Sequence, residues 1–175
     1  MEYFSLYDQD RIPLGKKIIR GEKMSENEYR LCIHVCVFNS ENKMLIQQRQ
    51  PFKEGWSNMW DVSTGGSAIA GENSREAAQR ELEEEIGLKI SFEKMRPILT
   101  VHFDHGFDYI YTVSSYADIN DFKLQYEEVK AVKWASEEEI LDMLADGPFI
   151  PYHEHLISLL FVMRNHRGTI KHDEE

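Results

Sequence analysis

The alternation of apolar and polar residues predicts a strand hairpin early in the chain. Over residues 31–38, Leu, Ile, Val and Val share one face, and Cys, His, Cys and Phe share the other. A period of two is typical of a β-strand. A polar turn at 39–42 precedes residues 44–49, which we predict to be the returning strand. Further strands are predicted in the first thirty residues and over 61–64, 97–102, 109–117 and 129–134.

Three segments carry helix signals. Residues 73–86 are rich in strong helix formers, and Gly87 follows at a position that favours a left-handed cap. Ser136, with a glutamate three residues later, predicts a capping box at the start of a second helix. Residues 151–164 predict a third helix, with Pro151 in its first turn. Strands and helices alternate without a strict repeat, which indicates an α+β fold with a mixed β-sheet between helices.

Length and composition fit a single domain over residues 1–175, with 1–30 as an N-terminal extension and 171–175 as a disordered tail. The net charge of -11 argues against binding a nucleic-acid polymer or an anionic membrane, and a phosphorylated substrate would need a cation. Cys32 and Cys36 are the only cysteines, so no disulfide framework is indicated. The chain shows neither a secretory signal nor an apolar run near the ~20 residues of a membrane span, so we expect a cytoplasmic protein.

The predicted helix at 73–86 contains a group of three acidic residues. Glu81, Glu84 and Glu85 lie at i, i+3 and i+4, so they should be neighbours on one face. A solvated surface could tolerate this repulsion, and Glu-rich helices are often only solvated faces. A divalent cation such as Mg²⁺ held between the carboxylates explains the group better, because Mg²⁺ prefers carboxylate oxygens and keeps positions for water and phosphate. Gly65 and Gly66 precede the helix, where backbone could approach a ligand.

The wider pattern resembles the Nudix box, G-x(5)-E-x(7)-R-E-U-x-E-E-x-G-U, in which U is a bulky aliphatic residue. Every specified position is filled in this chain, and a chance match of nine positions at this spacing is very improbable. The matching residues are Gly66, Glu72, Arg80, Glu81, Leu82, Glu84, Glu85, Gly87 and Leu88.

The resemblance implies an α/β/α sandwich and assigns roles to particular residues. Glu81, Glu84 and Glu85 would bind Mg²⁺ or Mn²⁺ together with the backbone carbonyl of Gly65, and Glu84 or Glu85 could act as the base. Arg80 would pair with Glu72, and this pair, with Gly66 and Gly87, would have a structural role. A downstream glutamate would add a ligand or base, for which Glu128 is the better match and Glu127 the rival. The resemblance also suggests a homodimer.

Outside the box, residues 1–90 resemble the isopentenyl-diphosphate isomerase-like branch of the family. The similar segments are 6–8, 20–22, 29–38, 47–49 and the turn at Trp60. Three features argue against isomerisation. Gly65 and Gly66 lie where true isomerases carry a catalytic cysteine, Arg30 replaces an expected histidine ligand, and the box is complete where that of isomerases is eroded.

We therefore expect a Mg²⁺-dependent hydrolase that cleaves a diphosphate linkage in a small nucleotide-type or related organic substrate. An isomerase and a non-catalytic ligand-sensing module are the alternatives. Arg49 and Lys53 are candidate phosphate contacts, and Trp56 is a candidate stacking residue. We expect the histidines other than His34 to be mainly surface or loop residues. Cys32, His34 and Cys36 are spaced about 7 Å apart along a strand, too widely for one zinc ion, so we expect them to form a half-buried face that lines the pocket.

Overall fold

A computed structural model describes residues 2–166 and 168–170. It contains a mixed β-sheet and three helices, so the predicted α+β class is confirmed. The predicted tail at 171–175 lies outside the described residues. The strands are β1 Tyr3–Tyr7, β2 Pro13–Ile19, β3 Tyr29–Phe38, β4 Met44–Arg49, β5 Trp60–Asp61, β6 Thr64–Ser67, β7 Leu99–Phe103, β8 Gly106–Ser114 and β9 Val129–Ala135. The helices are α1 Ser74–Ile86, α2 Glu137–Asp146 and α3 Glu154–Met163.

The chain forms two compact units that are interleaved in sequence. The first unit comprises the residues up to Val35 together with Thr64–Tyr111. In this unit β1 pairs antiparallel with β2 and with β3, β6 pairs antiparallel with β3, and β7 pairs antiparallel with β8. Helix α1 packs against β6. The core of the unit is apolar and consists of Phe4, Leu6, Leu31, Ile33, Val35, Ala68, Ala77, Ala78, Leu82, Ile86, Phe92, Phe107, Ile110 and Tyr111.

The second unit comprises Cys36–Ser63 and the chain from Thr112 onward. The predicted hairpin is present, because Phe38 pairs with Met44 across the turn. Strand β4 pairs antiparallel with β9 and with β5, and α2 packs against α3. The ring of Phe161 in α3 meets the ring of Phe38 edge-on at 5.1 Å between centroids. This aromatic contact anchors α3 on the buried end of the hairpin.

Helix α3 begins later than the sequence predicts. His153 is its N-cap and Glu154 its first residue, so Pro151 precedes the helix and does not lie in its first turn. The segment is held extended by other contacts, because Ile150 donates its backbone N–H to Trp60 O and the Tyr152 hydroxyl donates to Asp61 Oδ1 at 2.7 Å. None of the helices in the described part of the chain is long and apolar enough to cross a membrane.

Candidate metal and active site

Helix α1 has a defined start and end, which fixes the positions of its carboxylates. The Asn73 side chain accepts hydrogen bonds from the backbone N–H groups of Arg75 and Glu76, and Glu76 bonds back to Asn73 N in a capping box. Gly87 ends the helix with φ 73°, the left-handed conformation that glycine adopts without strain. Both caps use local signals, which is why the sequence predicted this helix closely.

The three carboxylates do not share one solvated face. Glu84 is half exposed, with 51 % of its side chain accessible, and the Glu81 side chain is 15 % accessible. Glu85 is buried among the apolar residues of α1, at 5 % exposure. Glu85 therefore does not share the exposed face of Glu84, and its side chain turns toward β6. Its Oε2 accepts a hydrogen bond from the hydroxyl of Thr64.

Arg80 connects the loop before α1 with the helix itself. Its Nε donates to Glu72 Oε1 at 2.7 Å, and a terminal nitrogen donates to Glu72 Oε2 at 3.0 Å. The other terminal nitrogen lies 2.9 Å from Glu81 Oε1 and 3.2 Å from Glu84 Oε2. Arg80 also donates to the backbone carbonyl of Ser67 at 3.3 Å. The predicted Arg80–Glu72 pair is present, and one guanidinium contacts three carboxylates.

The pKa values of Glu81 and Arg80 are both raised. Burial raises the pKa of Glu81 above its ordinary value, although the positive charge and the hydrogen bond of Arg80 act in the opposite direction. Burial would lower the pKa of Arg80, but its hydrogen bond to Glu72 and the charge of Glu81 raise that pKa overall. Arg80 is therefore a permanent cation, and it keeps a crowded acidic cluster compatible with the fold.

The two glycines before α1 allow close contact with side chains. A Cβ on Gly66 would lie 2.5 Å from the carboxyl carbon of Glu81 and closer still to its Oε1. A Cβ on Gly65 would lie 2.6 Å from Cδ2 and 2.8 Å from Nε2 of His34. Contacts under 3.0 Å force movement, so only glycine fits either position as the neighbours stand. Both glycines lie in β6 and not in the loop that the sequence predicted, and they bring the backbone of this strand directly against Glu81 and His34.

His34 and Asp108 form a pair that the sequence analysis missed. His34 Nδ1 hydrogen-bonds to Asp108 Oδ2. Alternation along β3 indicated only that His34 is half-buried, and no local pattern connects it with a residue 74 positions away. Within the described part of the chain, Arg30 Nε and Asp108 Oδ1 are buried side-chain atoms without a hydrogen-bond partner.

The remaining predicted residues belong to the second unit. Lys53 Nζ lies 2.7 Å and 2.6 Å from the two oxygens of Glu128, so two residues predicted separately form an ion pair. Arg49 Nε donates to Gly55 O at 3.1 Å. Trp56 is exposed and has φ 50°, an unusual backbone conformation for a bulky residue. The roles of Arg49, Lys53, Trp56 and Glu128 stay predictions.

The donor types in α1 suit a divalent cation, although the side chains do not form a cage. Among residues 2–166 and 168–170, no group of three or more His, Cys, Asp or Glu side chains is placed to hold a metal ion. Glu81 and Glu84 are turned toward Arg80. Carboxylate oxygens on adjacent turns, beside a backbone without a Cβ at Gly66, are nevertheless the hard ligands that Mg²⁺ and Mn²⁺ accept. The chemical types of these ligands therefore suit Mg²⁺ or Mn²⁺.

Comparison with known families decides the family of this chain. The sequence model of the NUDIX domain matches residues 28–160. The chain belongs to the Nudix family. The Nudix box in this protein is thus the loop and helix just described, with Arg80 and Glu72 paired at its centre. Nudix hydrolases act on diphosphate-containing substrates and generally use divalent metal ions, so the protein is an enzyme of the hydrolase class.

Individual relatives agree with this assignment. An uncharacterised Nudix hydrolase of Listeria monocytogenes is 41 % identical over 165 residues, which cover 94 % of this chain and 96 % of the relative. A crystal structure from Deinococcus radiodurans superposes with a TM-score of 0.73 at 23 % identity, covering 91 % of this chain and 97 % of that one, and shows the fold. An isopentenyl-diphosphate delta-isomerase of Gibberella zeae is 25 % identical over 173 residues, covering 82 % of this chain and 66 % of the relative. The link to the isomerase-like branch is therefore weak.

Proposed function

We propose that this Nudix protein is a Mg²⁺-dependent pyrophosphohydrolase that cleaves the diphosphate linkage of a nucleotide-type or related organic substrate. One observation carries the proposal: a complete Nudix box places Glu81, Glu84 and Glu85 on one helix beside the glycines of β6, and Arg80 contacts Glu81 and Glu84. When bound, Mg²⁺ or Mn²⁺ would neutralise phosphate charge and make water more acidic. Glu81, Glu84, Glu85 and the Gly65 carbonyl are the residues that would hold it.

The protein residues have different parts in the proposed reaction. The oxygen of water forms a bond to phosphorus, the phosphoanhydride P–O bond breaks, and the bridging oxygen leaves with its electron pair on the departing phosphate. A carboxylate takes the proton of the water. Glu84 suits this role because it is half exposed, whereas the buried Glu85 suits a ligand. Arg80 and Glu72 hold the loop on the helix.

Residues of β6 and of the neighbouring strand β3 favour hydrolysis over isomerisation. An isomerase of the isoprenoid type needs a proton donor where this chain has Gly65 and Gly66, and a Cβ at these positions would displace the His34 ring or the Glu81 carboxylate. Cys32, which lies 3.5 Å from Ser67 Oγ, is a thiol whose pKa is raised by burial. A thiol in that state is a poor partner for proton exchange near neutral pH. These residues favour hydrolysis, in which water is the reactant, over isomerisation, in which a carbon atom is protonated.

A metal-dependent turnover screen tests the proposal. Purified protein is incubated with nucleoside triphosphates, dinucleotide or sugar-linked diphosphates, and isopentenyl diphosphate, each with Mg²⁺, with Mn²⁺ and with a chelator. We expect metal-dependent release of phosphate-containing products from at least one of the hydrolysable classes. Products identified by mass spectrometry after reaction in ¹⁸O water show which phosphorus was attacked. Conversion of isopentenyl diphosphate without phosphate release would support the isomerase alternative instead.

Two neighbouring glutamates of α1 provide a matched pair of variants. Glu84→Gln keeps the size of the side chain but removes its charge, and we expect it to lose nearly all turnover while its circular dichroism and melting temperature are unchanged. Glu83→Gln makes the same change at a residue that pairs only with Lys89 among the ion pairs described, and it should keep activity. Full metal-dependent activity in Glu84→Gln would refute the assignment. Tight nucleotide binding by the wild type without product would instead support a sensing module.

A further inference from the structure

A buried threonine links strand β6 to the innermost carboxylate of the Nudix box. The Thr64 hydroxyl donates to Oε2 of Glu85, across 21 positions of sequence. Thr64 is fully buried and Glu85 is 5 % exposed. A hydrogen bond in the protein interior is electrostatically stronger than the same bond in water. The hydrogen bond from Thr64 therefore restricts the orientation of the Glu85 carboxylate, which is almost inaccessible to water.

The position of the Thr64 hydroxyl is set by the sheet. Thr64 begins β6 and pairs with Val35 of β3, whose side chain is completely buried. The next residue, Gly65, is in register with His34 and lies against its ring. Helix α1 packs directly on β6. The donor thus comes from a paired strand, while the acceptor comes from a capped helix.

We propose that Thr64 is a positioning residue of the metal site, which holds Oε2 of Glu85 and so fixes the orientation of this carboxylate for a divalent cation. The proposal rests on the proposed function in one respect, that Glu85 is a metal ligand. A glutamate has three side-chain torsions, and fixing them before the ion binds removes an entropic cost of binding. Hydrogen bonds to ligating carboxylates commonly change metal affinity by 10- to 100-fold when they are removed.

Thr64→Val is the decisive variant, because valine has nearly the shape of threonine but no hydroxyl. Thr64→Ser returns the hydroxyl. Thr100→Val is the matched control, since it makes the same chemical change on β7 in the same unit, at a residue with no part in the proposed site. Thr64→Ala gives a second hydroxyl-free variant should valine disturb folding, and the thermal transition of each protein reports whether it is folded.

Metal binding is measured without substrate, by the loss of the electron paramagnetic resonance signal of free Mn²⁺. We expect the Kd for Mn²⁺ to rise about 10- to 100-fold in Thr64→Val and in Thr64→Ala. We expect Thr64→Ser to stay within about threefold of the wild type, and Thr100→Val to match it. In turnover assays, the metal concentration for half-maximal rate should rise by the same factor, whereas the KM for substrate at saturating metal should change little. A purely structural hydrogen bond would lower the melting temperature without this shift.

The outcomes separate this inference from the proposed function. Mn²⁺ binding that weakens in Thr64→Val and is restored in Thr64→Ser upholds the inference, even if no tested substrate is hydrolysed. Unchanged Mn²⁺ affinity in a folded Thr64→Val protein overturns it, even if the wild type is an active hydrolase. Absence of Mn²⁺ binding by the wild type also overturns it, because no bound ion would then exist for Glu85 to face.

Discussion

Arg80 donates two hydrogen bonds to Glu72, from Nε to Oε1 at 2.7 Å and from a terminal nitrogen to Oε2 at 3.0 Å. This fork geometry is available to arginine and not to lysine. Both side chains are largely buried, with accessibilities of 20 % and 16 %. The pair joins the loop before α1 to the helix, and the same guanidinium contacts Glu81 and Glu84.

Loss of this fork should reduce stability. We expect Arg80→Lys to lower the free energy of unfolding by about 1–3 kcal/mol, because Glu72 stays buried with part of its hydrogen bonding lost. Urea denaturation followed by circular dichroism measures the change. Lys89→Met removes an exposed ion pair with Glu83 and should leave stability nearly unchanged. A double-mutant cycle that combines Arg80→Lys with Glu72→Gln measures the coupling energy of the pair. A coupling energy near zero would contradict a stabilising interaction between Arg80 and Glu72.

Gly66 should not tolerate a side chain. In Gly66→Ala the new Cβ would lie 2.5 Å from the carboxyl carbon of Glu81, so Glu81 must move away from the loop. Because this carboxylate is the far end of a flexible side chain, we expect only a small loss of stability, together with a loss of metal-dependent turnover. Calorimetry and initial rates measure the two effects. Gly55→Ala is the control, because its Cβ would meet no atom within 4 Å and its φ is not positive; equal behaviour of the two variants would contradict the close approach.

Gly65 and His34 should show compensation. Gly65→Ala places a Cβ 2.6 Å from Cδ2 of His34, whereas the further change His34→Ala removes the ring that the new methyl meets. We expect Gly65→Ala to lower the melting temperature, and the double variant to be more stable than the sum of its single effects predicts. Differential scanning calorimetry of the four proteins tests this. Additive effects would show that the ring is not the obstacle.

The half-buried thiol of Cys32 should react slowly. Burial raises its pKa above the ordinary value of 9.0, against the opposing effects of Ser67 and Arg30, so little thiolate is present near pH 8. In a Cys36→Ala background, we expect iodoacetamide to label Cys32 much more slowly in the folded protein than in urea. Since the unfolded chain loses this proton first, the same shift removes stability as the pH rises above about 9. Rapid labelling of the folded protein would contradict the prediction, and mass spectrometry measures it.

Local signals account for the elements that the sequence predicted well. Helix α1 has strong helix formers, an Asn73 cap and a Gly87 terminus, all within its own segment. The boundaries of β7 and β8 were predicted less well, because they depend on a hairpin whose turn is only Asp104 and His105. The predicted strand at 61–64 is divided, since β5 pairs with β4 while β6 pairs with β3. Strand pairing is not encoded in the segment itself.

The sequence by itself determined the Nudix box and its chemistry, because residue types at fixed spacing on a helix define which groups are neighbours. The Arg80–Glu72 pair also followed from the motif. Tertiary structure alone decided the environment of each group. The fold buries Glu85, which is hydrogen-bonded to Thr64, and it pairs His34 with Asp108 and Lys53 with Glu128. The two partners of each pair are at least 21 positions apart in the sequence. Burial and long-range hydrogen bonds depend on which strands pair and which faces pack, and a linear pattern does not contain that information.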